Sequence, residues 1–492
     1  MTDSPNGQSE RMQTCRRSSI DGDVSRMSNA GASIAQKCEN PADALEVICK
    51  WSGIDWQKAE GEVRHLQTRI SKAQLKGETN LVKRLQHLLT NSFYAKALAV
   101  RRVSQTNTGK HTSGVDGKLW LSDEQKMNAV LTLNVGRYRS KPLRRIYIPK
   151  KNGKLRPLSI PTMYDRAMQA LYALALDPVQ EATADPNSYG FRLGRSCQDA
   201  HEQIFYQMAS SKRPKYVLEG DIKGCFDNFS HQWILDNIPM DKSILKQFIK
   251  AGYVFKDSLF PTEKGSPQGG VISPILANMV LNGMEKLVKA NFKGCNLTRF
   301  ADDFVVTAHN PEEAESIKET LIPFLGERGL ELSDEKTLIT HIDDGFDFLG
   351  WNFRKYHVGK GTKMLIKPSK KSLESMKNTV YDVILGHGKA KTQDELITEL
   401  NPKLRGWGNY HSTSVSKRTF YYVDTYVFQT LLRWASRKHG DKGRRWIADR
   451  YWHPRGTRKW MFCTDDNTLF SVGDIKIRRH VKVKGTMNPY ID

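Results

Sequence analysis

The sequence predicts an α+β fold, and three observations support that prediction. Short apolar segments typical of strands occupy the middle of the 492-residue chain, and the clearest of them flank the adjacent acids Asp302 and Asp303. Apolar residues spaced by three and four towards both ends predict amphipathic helices. Hydrophobic residues make up 39% of the chain, which is enough for the cores of several domains.

The charge balance predicts a polyanionic partner. Lys and Arg number 76 against 53 Asp and Glu, so the formal net charge is +23. Phosphate contacts release counterions and dominate binding by such a surface. Residues 351–492 alone carry 29 basic residues against 12 acids and six of the ten tryptophans. Basic charge interleaved with aromatic rings is typical of a nucleic-acid surface.

The cysteines and the N-terminal segment predict where the protein works. Seven cysteines without a C-x-x-C pair indicate a reducing compartment and argue against a zinc site. No apolar run is long enough for a membrane span, and no signal-peptide core is present. Residues 1–45 are too acidic for a transit peptide, and their polar composition predicts a disordered tail. We expect a bacterial cytoplasmic protein rather than one of an organellar matrix or stroma.

Two helices are predicted after that tail. Asp55 is suited to cap the first helix, and the second runs through Leu81–Leu88. The polar face of the first helix carries Arg64, Arg69 and Lys72. These side chains fit either an RNA contact or a charged, solvated face.

A basic hairpin is predicted next. The strand-like segments 144–149 and 155–160 flank a turn at Asn152-Gly153. Lys150 and Arg156 lie near its tip. Lysine supplies a point charge and arginine a bidentate fork, so such a hairpin suits a triphosphate.

Three carboxylates form the predicted catalytic centre. Asp302 and Asp303 lie between two strands, and Asp221 follows a β-rich segment 81 residues earlier. An Asp pair is often only a solvated turn, as Asp343-Asp344 and Asp465-Asp466 illustrate. Acids from separate strands can instead hold two metal ions, one activating a 3′-hydroxyl and one steadying the leaving pyrophosphate.

A series of ordered blocks carries a resemblance to a known family. They are Lys141–Lys150, Arg156-Pro157-Leu158, Asp221 to Asp227, Ser266-Pro267-Gln268-Gly269-Gly270, Phe300–Asp303, Gly329 to Lys336 and Phe348-Leu349-Gly350-Trp351. Over residues 50–490 the chain resembles the group II intron reverse transcriptases and maturases, in the form that lacks a C-terminal HNH endonuclease. One departure is Phe300, where the family commonly has tyrosine; the ring is kept and we expect activity to survive.

The resemblance implies a right-hand polymerase with fingers, a palm built on an antiparallel sheet, and a helical thumb. It implies RNA-directed DNA synthesis from dNTPs on a DNA primer, together with intron RNA binding for splicing and mobility at target DNA. Asp221, Asp302 and Asp303 would hold two Mg²⁺ ions. Whether the protein forms a homodimer stays open.

The resemblance also implies nucleotide contacts. Lys150 and Arg156 would meet the triphosphate, and Gln268 would lie beside the incoming nucleotide. Phe226 would exclude a 2′-hydroxyl, or else serve only as a core aromatic. Lys336 would approach the pyrophosphate, or else be a simple surface lysine.

Three helices are predicted in the basic C-terminal part, over residues 373–385, 396–410 and 420–434. For Trp407 and Trp434 helix packing is favoured over a direct contact with RNA. The side chains expected to contact RNA are Arg405, Lys417, Arg418, Arg437 and Lys438. The last segment resembles a DNA-binding extension, with Arg478, Arg479, Lys482 and Lys484 as its expected contacts.

The resemblance and the composition together predict five regions. They are a disordered tail (1–45), a helical RNA-binding extension (46–130), fingers and palm (131–355), a thumb or maturase domain (356–460) and a basic extension without an endonuclease (461–492). Two other functions stay open at this point: an RNA-binding maturase without polymerase activity, and a domesticated reverse transcriptase used in repair or defence. The intact acid triad favours an active polymerase.

Overall fold

The computed structural model describes residues 50–149, 153, 155–210, 213–359 and 361–492. The predicted tail 1–45 and Lys150 lie outside these residues. The chain forms two compact units. The first holds the described residues up to 182 together with 238–273, and the second holds 183–237 and 274–490.

Helices occur throughout the described residues and confirm the α+β prediction together with the strands. The helices are α1 (Trp56–Leu75), α2 (Thr79–Asn91), α3 (Phe93–Arg101), α4 (Asp123–Thr132), α5 (Met163–Thr183), α6 (Cys197–Met208), α7 (Cys225–Asn228), α8 (His231–Asn237), α9 (Lys242–Ile249), α10 (Ser273–Leu281), α11 (Met284–Asn291), α12 (Pro311–Gly326), α13 (Lys370–Tyr381), α14 (Gln393–His411), α15 (Lys417–Lys438) and α16 (Arg444–Tyr451). The strands are β1 (Leu143–Pro149), β2 (Leu155–Ile160), β3 (Tyr216–Gly220), β4 (Tyr253–Phe255), β5 (Ser258–Phe260), β6 (Leu297–Phe300), β7 (Asp303–Ala308), β8 (Leu338–His341), β9 (Phe346–Phe348), β10 (Trp351–Val358), β11 (Gly361–Pro368), β12 (Trp452–Arg455) and β13 (Arg458–Phe462).

The first unit begins with the helices that the sequence predicts. Asp55 caps α1, since its carboxylate accepts a hydrogen bond from the backbone N–H of Lys58 at 3.0 Å. Helices α1, α2 and α3 pack together through side chains such as Val63, Ile70 and Leu89, which are at most 2% exposed. The basic face of α1 is therefore the face turned away from this core.

The predicted basic hairpin is confirmed in the first unit. Strands β1 and β2 pair antiparallel, from Arg144 with Ile160 to Pro149 with Leu155. Strand β1 also pairs with β4, so the sheet has the order β2-β1-β4-β5. Gly153 has a φ of +78°, which explains why glycine suits the turn.

The second unit contains a four-stranded antiparallel sheet of order β6-β7-β3-β8. Val217 on β3 and Val306 on β7 are fully buried, and helices α6 and α12 pack against the sheet. Gly220, the last residue of β3, pairs with Phe304, the second residue of β7. The end of β3 and the β6–β7 turn therefore meet at one edge of the sheet.

The C-terminal part of the second unit is mainly helical. Helices α13, α14 and α15 confirm the three predicted helices. Trp434 is 2% exposed in their shared core, and Trp407 packs against that core while half-buried. Helix packing, the role favoured for both tryptophans, is thus confirmed.

Candidate active site

Three carboxylates lie together at that sheet edge. Asp221 directly follows β3, Asp302 occupies the β6–β7 turn, and Asp303 is the first residue of β7. The carboxyl group of Asp303 is close enough to those of Asp302 and Asp221 to be affected by their charges. Desolvation and the charges of Asp302 and Asp221 raise the pKa of Asp303 to about 6, although the residue keeps contact with solvent. The triad predicted from the sequence is therefore brought together in space.

The turn that carries the acids is fixed from behind by residues that sequence reasoning missed. Ala301 has a φ of +58°, a left-handed conformation that is uncommon for a side chain other than glycine. The guanidinium of the buried Arg299 donates to the Ala301 carbonyl oxygen at 3.0 Å and to Asn278 Oδ1 at 3.1 Å. Asn278 Nδ2 in turn donates to the Gly190 carbonyl oxygen at 2.9 Å.

Gly190 is the last residue of this support and packs directly against the backbone of Ala301. A Cβ atom at Gly190 would lie 2.3 Å from the backbone nitrogen of Ala301. Only glycine therefore allows the chain around position 190 to approach the acid-bearing turn so closely. A glycine after a tyrosine in a loop gave no sign of this contact, because its partner is more than a hundred residues away in sequence.

Lys336 belongs to the same cluster. Its ammonium donates a hydrogen bond of 2.7 Å to Asp221 Oδ2, which raises the pKa of Lys336. The backbone N–H of Ser333 donates to the Asp221 carbonyl oxygen at 2.8 Å, so the loop before β8 is also tied to the triad. Lys336 is thus more than an isolated surface lysine, while its contact with pyrophosphate stays a prediction.

The residues at this edge fit divalent metal ions. Carboxylate oxygens are the ligands that hard cations prefer, and the charges of Asp302 and Asp221 add to desolvation in raising the pKa of Asp303. Lys336 supplies one positive charge for three acids.

Phe226 lies in an aromatic cluster of the same unit. Its ring centroid is 6.3 Å from that of Phe191 and 5.9 Å from that of the buried Phe229. Phe226 itself is only half-buried. A contact with a nucleotide sugar requires an exposed part of the ring, and packing against other aromatic rings covers the rest. The position therefore fits both a sugar contact and a packing role.

In the first unit, Arg156 and Gln268 form a pair. Arg156 Nε donates to Gln268 Oε1 at 2.7 Å, across 112 residues of sequence. The backbone N–H of Ser159 donates to the Gln268 carbonyl oxygen at 2.8 Å. Gly269, with a φ of +108°, lets the chain lie against β2, since a Cβ there would be 2.9 Å from the Ser159 oxygen. Two residues predicted to meet the nucleotide are therefore neighbours.

The residues predicted to contact RNA differ in their surroundings. Arg64, Arg69, Lys72, Arg405, Arg418, Arg437 and Lys438 are exposed. Arg405 lies over the ring of Phe470 at 4.4 Å, and Lys438 donates to the Lys391 carbonyl oxygen. Lys417 is half-buried, and its ammonium donates to the carbonyl oxygens of Gly473 and Ile475 at 2.5 and 2.9 Å. Lys417 thus has a structural role that the sequence did not reveal, and its RNA contact stays only a prediction.

The predicted DNA-binding segment is attached to α6. Arg479 donates to Glu202 Oε1 at 3.2 Å, and His480 Nε2 lies 2.9 Å from Asp199 Oδ1. Arg195 donates to the backbone carbonyl oxygens of Lys484, Gly485 and Met487. Burial lowers the pKa of the half-buried Lys482, whereas Arg478 and Lys484 are exposed. Arg479 and Lys482 are therefore partly committed to protein contacts.

Comparisons with known families identify the chain. Residues 148–353 match the family described as reverse transcriptase (RNA-dependent DNA polymerase), residues 51–133 match the N-terminal domain of reverse transcriptase, and residues 373–452 match the group II intron, maturase-specific domain. The chain is 32% identical to the protein YkfC of Escherichia coli, over 55% of this chain and 82% of that protein. The chain belongs to the group II intron reverse transcriptases and maturases.

Two further relatives of this reverse transcriptase have names that refer to a group II intron or to a maturase. It is 28% identical to the group II intron-encoded protein LtrA of Lactococcus lactis, over 68% of this chain and 71% of that protein. It is 25% identical to the maturase-like protein 1 of Euglena gracilis, over 73% of this chain and 77% of that protein. A solved structure of telomerase from Candida albicans aligns with a TM-score of 0.36 and 12% identity, covering 63% of this chain and 64% of that one.

Membership of the family fixes the general function. The protein is a reverse transcriptase with the right-hand polymerase fold and a role in intron splicing. Reverse transcriptases use divalent metal ions, which the acid cluster fits. The readings as an inactive maturase or a domesticated enzyme are not favoured. Within the part of the chain that the structure describes, no helix is long and apolar enough to cross a membrane.

Proposed function

We propose that the chain extends a DNA primer with dNTPs on an RNA template, using two Mg²⁺ ions held by Asp221, Asp302 and Asp303. The observation that carries the proposal is the convergence of these carboxylates from two chain segments at one sheet edge. When bound, the ions would activate the 3′-hydroxyl and neutralise the leaving pyrophosphate. Oxygen donors on a rigid sheet suit this task, because phosphoryl transfer depends mainly on positioning and electrostatics.

The basic side chains have distinct roles in this proposal. Lys336 orients Asp221 through its hydrogen bond and presents positive charge beside the acids. Arg156 and Lys150 bind the triphosphate, and Gln268 orients Arg156 while it contacts the nucleotide.

Phe226 provides the discrimination between sugars in this proposal. A half-buried ring, packed near that of Phe229, can exclude a 2′-hydroxyl by volume. Phe226→Ala should let ribonucleotides compete with dNTPs in primer extension. An unchanged ratio of dNTP to NTP incorporation would show that Phe226 is only a packing residue.

The remaining contacts and regions complete the proposal. Intron RNA binds the exposed basic side chains of the helical extension (46–130) and of the thumb (356–460), with fingers and palm over residues 131–355. Target DNA binds the exposed Arg478 and Lys484 of the segment 461–492. Phosphate contacts from arginine and lysine support both interfaces.

Primer extension in Mg²⁺ on poly(A) with oligo(dT) tests the polymerase proposal. The wild type should give product, and Asp302→Asn should abolish it. The matched control is Asp466→Asn, which changes an exposed turn acid outside the cluster and should leave synthesis intact. If a folded wild type binds intron RNA but makes no product, the protein acts as a maturase alone.

A further inference from the structure

A cysteine, a histidine and a glutamate converge at the other end of the hairpin that carries the catalytic acids. Cys295 lies just before β6, His309 just after β7, and Glu313 in the first turn of α12. One donor atom of each lies within 4.8 Å of the others. The Asp302 turn joins β6 and β7 at one end, so this cluster closes the open end of the same hairpin.

The three side chains already contact each other. Cys295 Sγ lies 3.9 Å from His309 Nδ1, and His309 Nδ1 lies 2.9 Å from Glu313 Oε2. The carboxylate is also held by the backbone N–H of His309, at 2.6 Å. The thiol and the Glu313 carboxylate lie within 4.8 Å of each other, and burial together with that carboxylate raises the pKa of Cys295 to about 12.

The backbone is shaped to hold the histidine there. Gly294 has a φ of +85°, and a Cβ at this position would lie 3.1 Å from His309 Cε1. A residue with a side chain would thus be strained and would crowd the imidazole. Asn310 caps α12 by accepting from the backbone N–H of Glu313 at 2.7 Å, which fixes the glutamate.

We propose that Cys295, His309 and Glu313 form a Zn²⁺ site that clamps the open end of the catalytic hairpin to helix α12. A thiolate, an imidazole and a carboxylate form a donor set of the kind that zinc accepts, with a fourth position open to water. Bond lengths of about 2.0–2.3 Å in a tetrahedral site place two donors roughly 3.5 Å apart. The observed separations of 3.9 and 2.9 Å differ from that value by about 0.4 and 0.6 Å, which small side-chain rotations can correct.

Charge and exposure suit a bound cation. Cys295 is only 2% exposed, whereas the His309 side chain is 47% exposed, so an ion can enter past the imidazole. On binding, the thiol proton leaves to solvent and the sulfur becomes the ligand. The proton that His309 Nδ1 shares with Glu313 also leaves to solvent, and Nε2 takes one up, so that neutral His309 coordinates through Nδ1. The four cysteines in the described part of the chain form no disulfide, so this thiol is available.

The proposed site departs from the expectation that the cysteines argue against zinc. That expectation rested on the missing C-x-x-C pair. The ligands instead come from two strand ends and a helix start, at separations of 14 and 4 residues. The hairpin brings the first two together, and sequence spacing alone does not reveal such a pairing.

Metal binding to the full-length protein tests the proposal. After stripping with EDTA and desalting, the wild type should bind one more equivalent of Zn²⁺ than Cys295→Ser does, in competition with a chromophoric chelator. Co²⁺ should give a near-ultraviolet thiolate-to-metal charge-transfer band together with intense visible bands of tetrahedral cobalt, and Zn²⁺ should displace it. Zn²⁺ should also raise the Tm of the wild type, because a ligand that binds only the folded state stabilises it.

Variants locate the ion. Cys295→Ser should remove the charge-transfer band, and His309→Gln, at a half-exposed position, should weaken Zn²⁺ binding by at least about tenfold. Circular dichroism and the metal-free Tm establish that each variant folds. Cys463→Ser, which removes a buried thiol elsewhere, should keep the band.

A second control separates this site from the catalytic acids. Cys225 is a buried thiol close enough to Asp302 to feel its charge. If Cys225→Ser removes the cobalt band and Cys295→Ser does not, the metal binds at the acid triad and the proposal is overturned. A wild type with neither the band nor a Zn²⁺-dependent rise in Tm would mean that the three residues are only hydrogen-bonded.

Discussion

Lys336 Nζ donates a hydrogen bond of 2.7 Å to Asp221 Oδ2, although the two residues are 115 positions apart in sequence. The side chain of Asp221 is 20% exposed and that of Lys336 is 64% exposed, so the pair lies at the rim of the acid cluster. An exposed ion pair contributes less than about 1 kcal/mol to folding. Its position therefore points to a role in synthesis rather than in stability.

We expect Lys336→Ala to lower kcat/KM for primer extension by roughly tenfold to a hundredfold, because in the proposed mechanism it removes a charge beside the reacting phosphates. The Tm should change little. Lys223→Ala is the matched control, since Lys223 forms an exposed pair with Glu331 at 3.8 Å nearby in sequence. Unchanged kinetics for Lys336→Ala would mean that Lys336 is a surface lysine without a role in synthesis.

Gly190→Ala tests the support behind the acid-bearing turn. The added Cβ would lie 2.3 Å from the backbone nitrogen of Ala301, and backbone atoms cannot move aside cheaply. We expect a loss of roughly 1–3 kcal/mol in stability and a large loss of DNA synthesis, because the turn shifts. Gly61→Ala on α1 is the control, since its Cβ would contact nothing within 4 Å. Wild-type kinetics for Gly190→Ala would mean that the turn tolerates displacement.

Local features of this fold could be predicted from the sequence. Three of these features depend on residues within a few positions of one another. They are the hairpin of β1 and β2, the Asp55 cap of α1, and strand β3, which Asp221 follows. The order of family blocks also predicted the acid triad. In each case, the information is contained in one short segment or in a recognisable motif.

Contacts between distant segments could not be predicted in this way. Three such contacts join residues of types that are common in loops and on surfaces. They are the close approach of Gly190 to Ala301, the hydrogen bond from Arg299 to Ala301, and the hydrogen bond from Lys417 to Ile475. A lysine on a helix looks identical in sequence whether its ammonium meets RNA or two backbone carbonyl oxygens. Only the tertiary fold separates these cases.

Two buried histidines predict how stability depends on pH. His201 and His411 lie against the ring of Trp351, with centroids 4.9 and 5.6 Å from it. Burial, with a contribution from His480, lowers the pKa of His201 to about 4, and burial beside His201 lowers the pKa of His411 to about 3. Both rings are therefore neutral in the folded protein at neutral pH.

The sign of the effect follows from these lowered values. The unfolded state takes up protons near pH 6.5 while the folded state does not, so stability is full above pH 7 and is lost as the pH falls. At pH 5 each histidine should lower the free energy of unfolding by about 2 kcal/mol. The urea midpoint should fall less between pH 7.5 and 5 in His201→Phe than in the wild type. His357→Gln, at a position 78% exposed, should retain the wild-type slope.

Arg405 and Lys417 should separate RNA binding from thumb stability. Arg405 is exposed beside Phe470, so Arg405→Gln should weaken intron RNA binding and reduce the salt slope of log K by about one. Synthesis on a generic primed template should stay near the wild-type rate. Salt-dependent filter binding and primer extension measure the two properties.

Lys417→Met should behave differently, because the carbonyl oxygens of Gly473 and Ile475 lose their donor. Leaving partly buried acceptors without partners costs about 1–3 kcal/mol, so the Tm should fall and both activities should decline together. Equal effects of the two variants on synthesis would mean that Arg405 also holds the thumb together. If Lys417→Met weakened only RNA binding, its ammonium would have to leave those carbonyl groups in the complex and contact phosphate instead.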